Sequence, residues 1–277
     1  MQKVRNDLVT AFSGPLKSVE VVPRKSLSMD ELITAISRLE GKARMITSPD
    51  NPMGGPGIDP VIATYLIASQ SDMIAVPHIT PRDRNRIQIQ TQVLTALKLG
   101  IRNFFTISGD PINPKNNSRE VREVDTLGLI ECVRSSVNLL PEESRSQEIA
   151  IGAAMNPFRD QEEAILSSKI SKGSGFFISQ IIFDSSALKK EWLLRRNYRL
   201  LAGFMPLSRK GQIQFLEKMG SRISEDNRKR LENAENIEET SSRIIKETYD
   251  DLKGYVDGIH LMPMGKIELA AEILECI

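Results

Sequence analysis

Short apolar runs alternate with longer amphipathic segments along almost the whole chain, and this alternation constrains the fold more than any other feature. Apolar runs rich in β-branched and aromatic residues are typical of buried strands. Segments with apolar residues every three or four positions are typical of helices that bury one face. The apolar runs are residues 18–22, 43–47, 72–76, 103–107, 148–154, 175–183, 199–204 and 257–262.

The segments between these runs have helical periodicity. In the clearest of them, residues 84–100, apolar side chains recur at helical spacing and Gly100 supplies a stop. A longer charged segment, 218–253, predicts two solvent-exposed helices, with Ser224 at the start of the first. The recurring apolar residues are Ile89, Val93, Ala96 and Leu97, and comparable helical segments are 29–40 and 161–173.

The count of strand and helix units predicts the architecture. Strands that alternate with helices pair in parallel through right-handed crossovers. Eight such units in a chain of 277 residues predict a (β/α)8 TIM barrel, an α/β fold that occupies residues 1–277 as a single domain. An open, doubly wound sheet is the alternative.

Composition excludes several classes of protein. The net charge is +1, from 37 basic and 36 acidic residues, so nothing favours nucleic acid or an anionic membrane as a partner. The two cysteines, Cys132 and Cys276, lack the spacing of a disulfide framework or a thiolate zinc site, and we expect no metal. Apolar runs are far shorter than the roughly 20 residues of a membrane span, and the start of the sequence lacks a signal-peptide core. We expect a cytoplasmic protein.

Polar residues follow or end several predicted strands. In FFTISGDP, residues 104–111, an apolar strand breaks into a glycine turn that carries Asp110, while Glu20, His78 and Gln180 also fall toward strand ends. Each has an ordinary alternative role: an ion-pair partner for Glu20, a hydrogen-bonded core residue for His78, a turn cap for Asp110 and a backbone partner for Gln180. Because TIM-barrel active sites lie where the carboxyl ends of the strands meet, their joint placement predicts a ligand site.

These motifs resemble the methylenetetrahydrofolate reductase family. The matching stretches occur in the family's order and span about residues 15–275. The likeness is greatest to the reductase half of bifunctional homocysteine S-methyltransferase/methylenetetrahydrofolate reductase proteins, and no methyltransferase half is present in this sequence. The matching stretches are VEVVPRK, PHITPRDRNRIQIQ, LGIRNFFTISGDP, VDTLGLI, IGAAMNPFRD, KGSGFFISQIIFD, GFMPLS and VDGIHLMPMGKIELAAEIL.

The resemblance implies a flavoprotein oxidoreductase of the TIM-barrel fold, which acts on CH–NH donors with NAD(P). It would interconvert 5,10-methylenetetrahydrofolate, or a related pterin, and 5-methyltetrahydrofolate by hydride transfer from NAD(P)H through FAD. By resemblance, Glu20 is the general acid, Asp110 is catalytic and lies near flavin and pterin, and Gln180 binds the substrate. The implied flavin-binding residues are Thr47, His78, Ser108, Gly109, Asp110, Asp125, Ala154, Asn156 and Lys169.

Several alternatives stay open at this point. Flavin-independent members of the family exist, and Met155, Asn156 and Phe158 replace the tyrosine and histidine that touch flavin in short enzymes. A second hypothesis is a flavin- or pterin-binding subunit that takes electrons from a partner protein. An unrelated barrel enzyme such as an aldolase is disfavoured, because Lys169 and Lys172 lie on a predicted helix. The sequence does not specify whether the electron donor is NADH or NADPH, or whether the pterin carrier is a folate or a methanopterin. It also leaves open the oligomeric state, homo- or hetero-oligomer, and the direction of the reaction.

Overall fold

Eight parallel strands pair in chain order, and the last strand pairs with the first, so that the sheet closes on itself. The computed structural model describes residues 4–145, 148–194 and 196–277. The predicted (β/α)8 barrel is therefore confirmed, and the open sheet is excluded. The strands are β1 (Leu16–Glu20), β2 (Met45–Ser48), β3 (Ile74–Ile79), β4 (Asn103–Thr106), β5 (Ala150–Met155), β6 (Phe176–Ile181), β7 (Arg199–Phe204) and β8 (Gly258–Leu261).

Helices connect the strands and cover the outside of the barrel. The two helices predicted in the charged segment before β8 are present as α9 and α10. None of the helices in the described ranges combines the length and the apolar character that crossing a membrane requires. The helices are α1 (Leu8–Ala11), α2 (Met29–Ile36), α3 (Pro60–Ala68), α4 (Arg86–Lys98), α5 (Thr126–Ser136), α6 (Glu162–Lys172), α7 (Glu191–Leu194), α8 (Gly211–Lys218), α9 (Glu225–Glu232), α10 (Ile237–Leu252) and α11 (Ile267–Glu275).

Side-chain caps fix where the helices begin. Ser28 and Glu31 form a reciprocal capping box at the start of α2, and Asn85 accepts a hydrogen bond from a backbone N–H in the first turn of α4. Ser224 caps α9, as its position in the sequence predicts. At the end of α4, Gly100 adopts a φ of +87°, a conformation that favours glycine, so the predicted stop is also confirmed.

The barrel interior is filled by side chains near the starts of the strands. Leu8 and Phe12, from the segment before β1, belong to the same buried cluster as Leu16, Phe105 and Phe176. The rings of Phe12 and Phe176 lie 6.4 Å apart, and those of Phe105 and Phe176 lie 6.1 Å apart. Because this packing fills the amino-terminal end, open space inside the barrel is left at the carboxyl ends of the strands.

A bulge interrupts the pairing of β6 with β7. The register shifts between Ile178, which faces Leu201, and Ile181, which faces Gly203, so that β6 carries one extra residue. Ser179 stabilises the bulge: the N–H of Gly203 donates to Ser179 Oγ at 2.8 Å, and that hydroxyl donates to the carbonyl of Gln180 at 2.9 Å. The bulge thereby allows neighbouring residues of β6 to face the same side.

Closure of the barrel depends on a glycine in β8. Gly258 faces Leu16 of β1, and a Cβ at Gly258 would lie 2.1 Å from the Leu16 carbonyl oxygen. We expect Gly258→Ala to lower the free energy of unfolding by about 3 kcal/mol or more, because the obstructing atoms belong to paired backbone. Gly211→Ala is the control, since a Cβ there meets nothing within 4 Å. Urea unfolding measures both variants, and equal stabilities would contradict this role for Gly258.

Candidate active site

One cavity lies at the carboxyl ends of the strands, and we call it the rim cavity. It encloses about 620 Å³, and every strand or the loop after it contributes to its wall. Of the residues predicted to form the site, all except Thr47 line it. The predicted residues in its wall are Glu20, His78, Ser108, Gly109, Asp110, Asp125, Ala154, Asn156, Lys169 and Gln180.

Thr47 is the one predicted site residue that does not line the rim cavity. It is fully buried in β2, where it faces Glu20 of β1 in the register of the two strands. Its hydroxyl oxygen is buried and has no hydrogen-bond partner among the described residues. Thr47 is thus next to Glu20 but outside the wall of the rim cavity.

Glu20 is the last residue of β1, and its carboxyl group faces the rim cavity. Burial at the end of the barrel and, to a smaller extent, the negative charge of Asp110 together raise its pKa to about 7. A carboxyl group with this pKa is about half protonated at neutral pH. Glu20 can therefore donate a proton or accept one under physiological conditions, as a general acid–base catalyst must.

Asp110 follows β4 and is held from two sides. Its side-chain Oδ2 accepts a hydrogen bond from the backbone N–H of Met53 at 2.8 Å. Its backbone carbonyl accepts a hydrogen bond from Arg82 Nη1 at 2.7 Å. One carboxylate oxygen thus secures the loop after β2, and Oδ1 is left for other partners.

The guanidinium group of Arg82 connects the loops after β2, β3 and β4. Arg82 is only 1% exposed; its Nε and Nη2 donate to Asp83 at 2.8 and 2.6 Å, and Nη2 also donates to the carbonyl of Asn51 at 3.1 Å. Asn51 Nδ2 in turn donates to Asp83 at 2.9 Å. The pairing with Arg82 holds the pKa of Asp83 below its usual range. Arg82 lies in the stretch PHITPRDRNRIQIQ, and the sequence alone predicted no role for it.

A second buried pair supports the same loops. Asp50, 2% exposed, accepts hydrogen bonds from Arg84 Nη1 and Nη2 at 2.6 and 3.0 Å. The same carboxylate accepts from the N–H and the hydroxyl of Thr80 at 3.0 and 2.9 Å. Bidentate arginine–carboxylate pairs are directional, so these two pairs fix the loop geometry around Asp110.

Gln180 lies in the β6 bulge and lines the rim cavity, but part of its amide is already used. Its Oε1 accepts a hydrogen bond from the N–H of Ile181 at 2.9 Å, and its Nε2 donates to the carbonyl of Met219 at 2.9 Å. A primary amide has two N–H donors and two oxygen lone pairs. One donor and one lone pair of Gln180 therefore remain for a ligand.

Two histidines form part of the cavity wall. His78 is 4% exposed, and neither of its ring nitrogens has a hydrogen-bond partner in the described ranges. His260 Nδ1 lies 2.9 Å from Ser18 Oγ. Burial lowers the pKa of His260 to about 3, and burial together with the neighbouring His260 lowers the pKa of His78 to about 3, so both rings are neutral at pH 7. The unpartnered nitrogens of His78 favour a ligand-binding role over that of a hydrogen-bonded core residue.

The β5 side of the rim cavity carries the residues predicted to hold a flavin. Lys169 Nζ donates to the carbonyl of Ala154 at 2.5 Å, and burial lowers its pKa. Asp125 caps α5 by accepting from the N–H of Gly128 at 2.8 Å. A flavin nucleotide has a polar ring edge and anionic phosphates. The rim cavity fits such a group, because it offers the unpartnered buried nitrogens of His78, the buried cation of Lys169 and a largely apolar wall.

Methionine side chains form much of the apolar wall, which sequence reasoning did not anticipate. Six of the ten methionines of the chain line the rim cavity. Thioether side chains are flexible and contact aromatic rings favourably, so this wall suits a flat heterocycle. They come from five separate loops or strands, so no sequence period indicates their convergence. They are Met53, Met155, Met205, Met219, Met262 and Met264.

The raised pKa of Glu20 predicts a stability that depends on pH. Since burial in the folded protein raises the pKa of Glu20 from 4.5 to about 7, the contribution of Glu20 to stability is fully present below pH 4.5 and is lost as the pH rises to about 7. Between pH 5 and 8, wild type should lose about 2 to 3 kcal/mol of unfolding free energy relative to Glu20→Gln. Urea unfolding across this range measures the difference. Exposed Glu235→Gln is the control, and parallel curves for wild type and Glu20→Gln would contradict the assignment.

Comparison with known proteins agrees with this fold and places the chain in a family. The profile of the methylenetetrahydrofolate reductase family matches residues 11–277. "Methylenetetrahydrofolate reductase 2" of Schizosaccharomyces pombe is 23% identical over 286 residues, which cover 91% of this chain but only 44% of that protein. The chain thus spans less than half the length of this curated relative.

Solved structures share the barrel. A Clostridium thermocellum protein described as binding two copies of 5-methyl-5,6,7,8-tetrahydrofolic acid superposes with a TM-score of 0.71, at 15% identity, over 98% of this chain and 100% of the other. A 2,3-dimethylmalate lyase superposes with a TM-score of 0.56, at 10% identity, over 99% and 84%. These two likenesses concern the fold alone. The family match over residues 11–277 shows that the chain belongs to the methylenetetrahydrofolate reductase family.

Proposed function

We propose that this protein interconverts 5,10-methylenetetrahydrofolate, or a related pterin, and 5-methyltetrahydrofolate, with FAD and NAD(P)H. The observation that carries the proposal is the position of Glu20, a carboxyl group with a pKa of about 7, in the same cavity wall as Asp110 and Gln180. Membership of the reductase family and a structural neighbour that binds 5-methyltetrahydrofolate support it. The particular likeness to the reductase half of bifunctional homocysteine S-methyltransferase/methylenetetrahydrofolate reductase proteins stays a prediction from resemblance.

Glu20 supplies the proton that the reaction requires. Reduction of the methylene bridge consumes one hydride and one proton, because the five-membered ring opens at a carbon–nitrogen bond and the departing nitrogen takes up the proton. The protonated form of Glu20 is populated at neutral pH because burial disfavours its carboxylate. The charge of Asp110 supports the same protonation state.

Asp110 contributes negative charge beside the cation that develops as the ring opens. A fixed charge of opposite sign stabilises such a cation without reorganising during the reaction. The hydrogen bonds of Asp110 to Met53 N and Arg82 Nη1 hold this residue in place. Gln180 keeps one amide donor and one oxygen lone pair, which suit the amide and amino edge of a pterin.

FAD fits the β5 side of the same cavity. Lys169, Asn156, Asp125 and Ala154 would hold its nucleotide portion, and His78, Ser108 and Gly109 would approach its ring. When bound, FAD supplies a hydride carrier between the nicotinamide and the pterin. The chain itself supplies orientation, the proton on Glu20 and the charge of Asp110.

A second candidate function is a subunit that binds flavin or pterin but receives electrons from a partner protein. The visible spectrum of the FAD-loaded protein separates the two. Loss of flavin absorbance on adding NADH or NADPH supports direct use of a nucleotide, whereas absorbance that persists with both supports the partner subunit.

Glu20→Gln tests the proton donor. With FAD bound, the variant should oxidise NAD(P)H at the wild-type rate when an artificial electron acceptor is supplied. Its turnover of methylenetetrahydrofolate should fall by about 100-fold or more, because general acid catalysis typically contributes that much. Stopped-flow measurement of the two half-reactions gives both rates. Folate turnover at the wild-type rate would remove Glu20 as the general acid.

Asp110→Asn tests the role of charge at an isosteric position. The amide oxygen of asparagine can still accept from Met53 N–H, so we expect stability within about 1 kcal/mol of wild type. The folate half-reaction should slow by at least tenfold, because the negative charge is lost. Unfolding midpoints and single-turnover rates separate these effects. A large loss of stability with unchanged folate kinetics would assign Asp110 a structural role only.

A further inference from the structure

Asp83 is a charged residue near the rim that takes no part in the reaction proposed above. It lies in the loop after β3, and its carboxylate accepts two hydrogen bonds from Arg82: Nε donates to Oδ1 at 2.8 Å, and Nη2 donates to Oδ2 at 2.6 Å. Asn51 Nδ2 donates to the same Oδ2 at 2.9 Å. Two-point arginine–carboxylate pairs of this kind are strong and directional. Asp83 therefore fixes the orientation of the buried Arg82 guanidinium and balances its charge.

Arg82 contacts Asp110 through the backbone and not through the carboxylate. Its Nη1 donates to the Asp110 carbonyl at 2.7 Å, whereas the Asp110 carboxylate accepts from the N–H of Met53. The two charges are nonetheless close enough to interact: the hydrogen bonds to Asp83 are the main cause that raises the pKa of Arg82, and the charge of Asp110 adds to the rise. A buried guanidinium thus lies beside Asp110 while its hydrogen bonds to a carboxylate go to Asp83.

Two other arginines of these loops also have a carboxylate of their own. Arg84 donates two hydrogen bonds to Asp50, and Arg122 Nε donates to Glu120 Oε2 at 2.8 Å. Within the described ranges, no cation forms an ion pair with the carboxylate of Asp110. In this network of arginines and carboxylates, Asp110 is therefore the carboxylate whose charge stays unpaired.

We propose that Asp83 is a positioning residue for the folate half-reaction, because by holding the Arg82 guanidinium it keeps the Asp110 carboxylate free of a cationic partner. This rests on the function proposed above, in which Asp110 supplies negative charge beside the cation that develops as the ring opens. A guanidinium without a partner beside Asp110 would cancel that charge. Asp83 does not line the rim cavity, so it acts through Arg82 and Asp110.

The same charge balance bears on the proton of Glu20. Burial is the main cause that raises the pKa of Glu20, and the negative charge of Asp110 is the second. If the charge of Arg82 offset that of Asp110, the pKa of Glu20 would fall, and less of its carboxyl group would be protonated near pH 7. The other titratable residues in the wall of the rim cavity, which a substitution of Asp83 leaves in place, are Asp50, His78, Asp125, Arg159, Lys169 and His260.

Asp83→Asn tests this inference in the full-length chain. Asparagine keeps an oxygen that can accept from Arg82 but loses the negative charge, so the guanidinium is left uncompensated beside Asp110. Carbon-13 NMR of the glutamate carboxyl groups follows the titration of Glu20, whose signal is the one missing from the spectrum of Glu20→Gln. We expect the midpoint of Glu20 to fall by at least about 0.5 pH unit.

The kinetics of the FAD-loaded variant supply a second readout. We expect the folate half-reaction of Asp83→Asn to slow by about fivefold or more, because the charge of Asp110 is partly cancelled. Since Glu20 must be protonated in this step, the rate falls as the pH rises through the pKa of Glu20. That decline should begin at a lower pH in Asp83→Asn than in wild type, and stopped-flow measurement across pH 5 to 9 shows the shift.

The double variant Arg82→Gln/Asp83→Asn separates charge balance from loop support. It removes the cation together with its partner, so the Asp110 carboxylate is again without a cation nearby. We expect the midpoint of Glu20 to return to within about 0.2 pH unit of wild type, a coupling that independent sites would not show. A role of Asp83 in loop support alone predicts the opposite, since the double variant lacks more hydrogen bonds than the single one.

Two further variants serve as controls. Asp83→Glu keeps the charge and should retain the wild-type midpoint of Glu20, which keeps the test decisive if the double variant fails to fold. Asp257→Asn removes a carboxylate that accepts from Arg196 and Arg199 at the amino-terminal end of the barrel. Asp257 does not line the rim cavity, so its loss should leave the midpoint of Glu20 unchanged.

Three results would overturn the inference: an unchanged Glu20 midpoint in Asp83→Asn, a shifted midpoint with wild-type folate kinetics, or a double variant shifted at least as far as the single one. The last of these would leave Asp83 a role in loop support only. Failure of wild type to turn over any folate would reject the proposed function itself. The NMR midpoints need no substrate, so they would still uphold or overturn the charge balance among Asp83, Arg82 and Asp110.

Discussion

The parallel pairing of β8 with β1 is the constraint on which the rest of the structure depends. Closure brings the carboxyl ends of all eight strands to one rim, so residues as distant in sequence as Glu20 and His260 line one cavity. It requires close approach of the Gly258 and Leu16 backbones, which a side chain at Gly258 would prevent. An open sheet of the same strands would leave Glu20 at an edge in water, with an ordinary carboxylate pKa and no partner from β4 or β6.

Burial of the polar residues at the rim lowers the stability of the fold, and the same burial gives these residues their unusual pKa values. Glu20 would be more favourably solvated in water, and the rise of its pKa to about 7 measures that penalty. Both ring nitrogens of His78 likewise lack hydrogen-bond partners among the described residues. By contrast, the buried carboxylates of Asp50 and Asp83 are each paired with an arginine. The chain therefore compensates buried charge in the supporting loops and leaves it uncompensated where a ligand is expected.

Local pattern in the sequence predicted the barrel and placed Glu20, His78, Asp110 and Gln180 toward its rim, whereas resemblance supplied the other six predicted residues of the cavity wall. Apolar runs mark the strands, and polar residues after them fall at the rim once the fold is known. The bulge at Ser179 and Gln180 could not be predicted, because it depends on pairing with Gly203 of another strand. The role of Arg82 depends on carbonyls 28 and 31 positions away. Resemblance placed Thr47 in the site, and in the structure Thr47 is fully buried in β2, next to Glu20 and outside the wall of the rim cavity.

The loops at the rim of the barrel are of two kinds. The loops after β2, β3 and β4 are locked together through Arg82 and Asp50, and Asn51 and Met53 hold positive φ values of 47° and 58° within that network. Such conformations persist only where surrounding contacts over-determine them. The loops after β1 and β5, in contrast, carry cations. Rigid loops thus fix the position of Asp110 in the cavity wall, whereas Arg24 and Arg159, cations of the loops after β1 and β5, stay exposed.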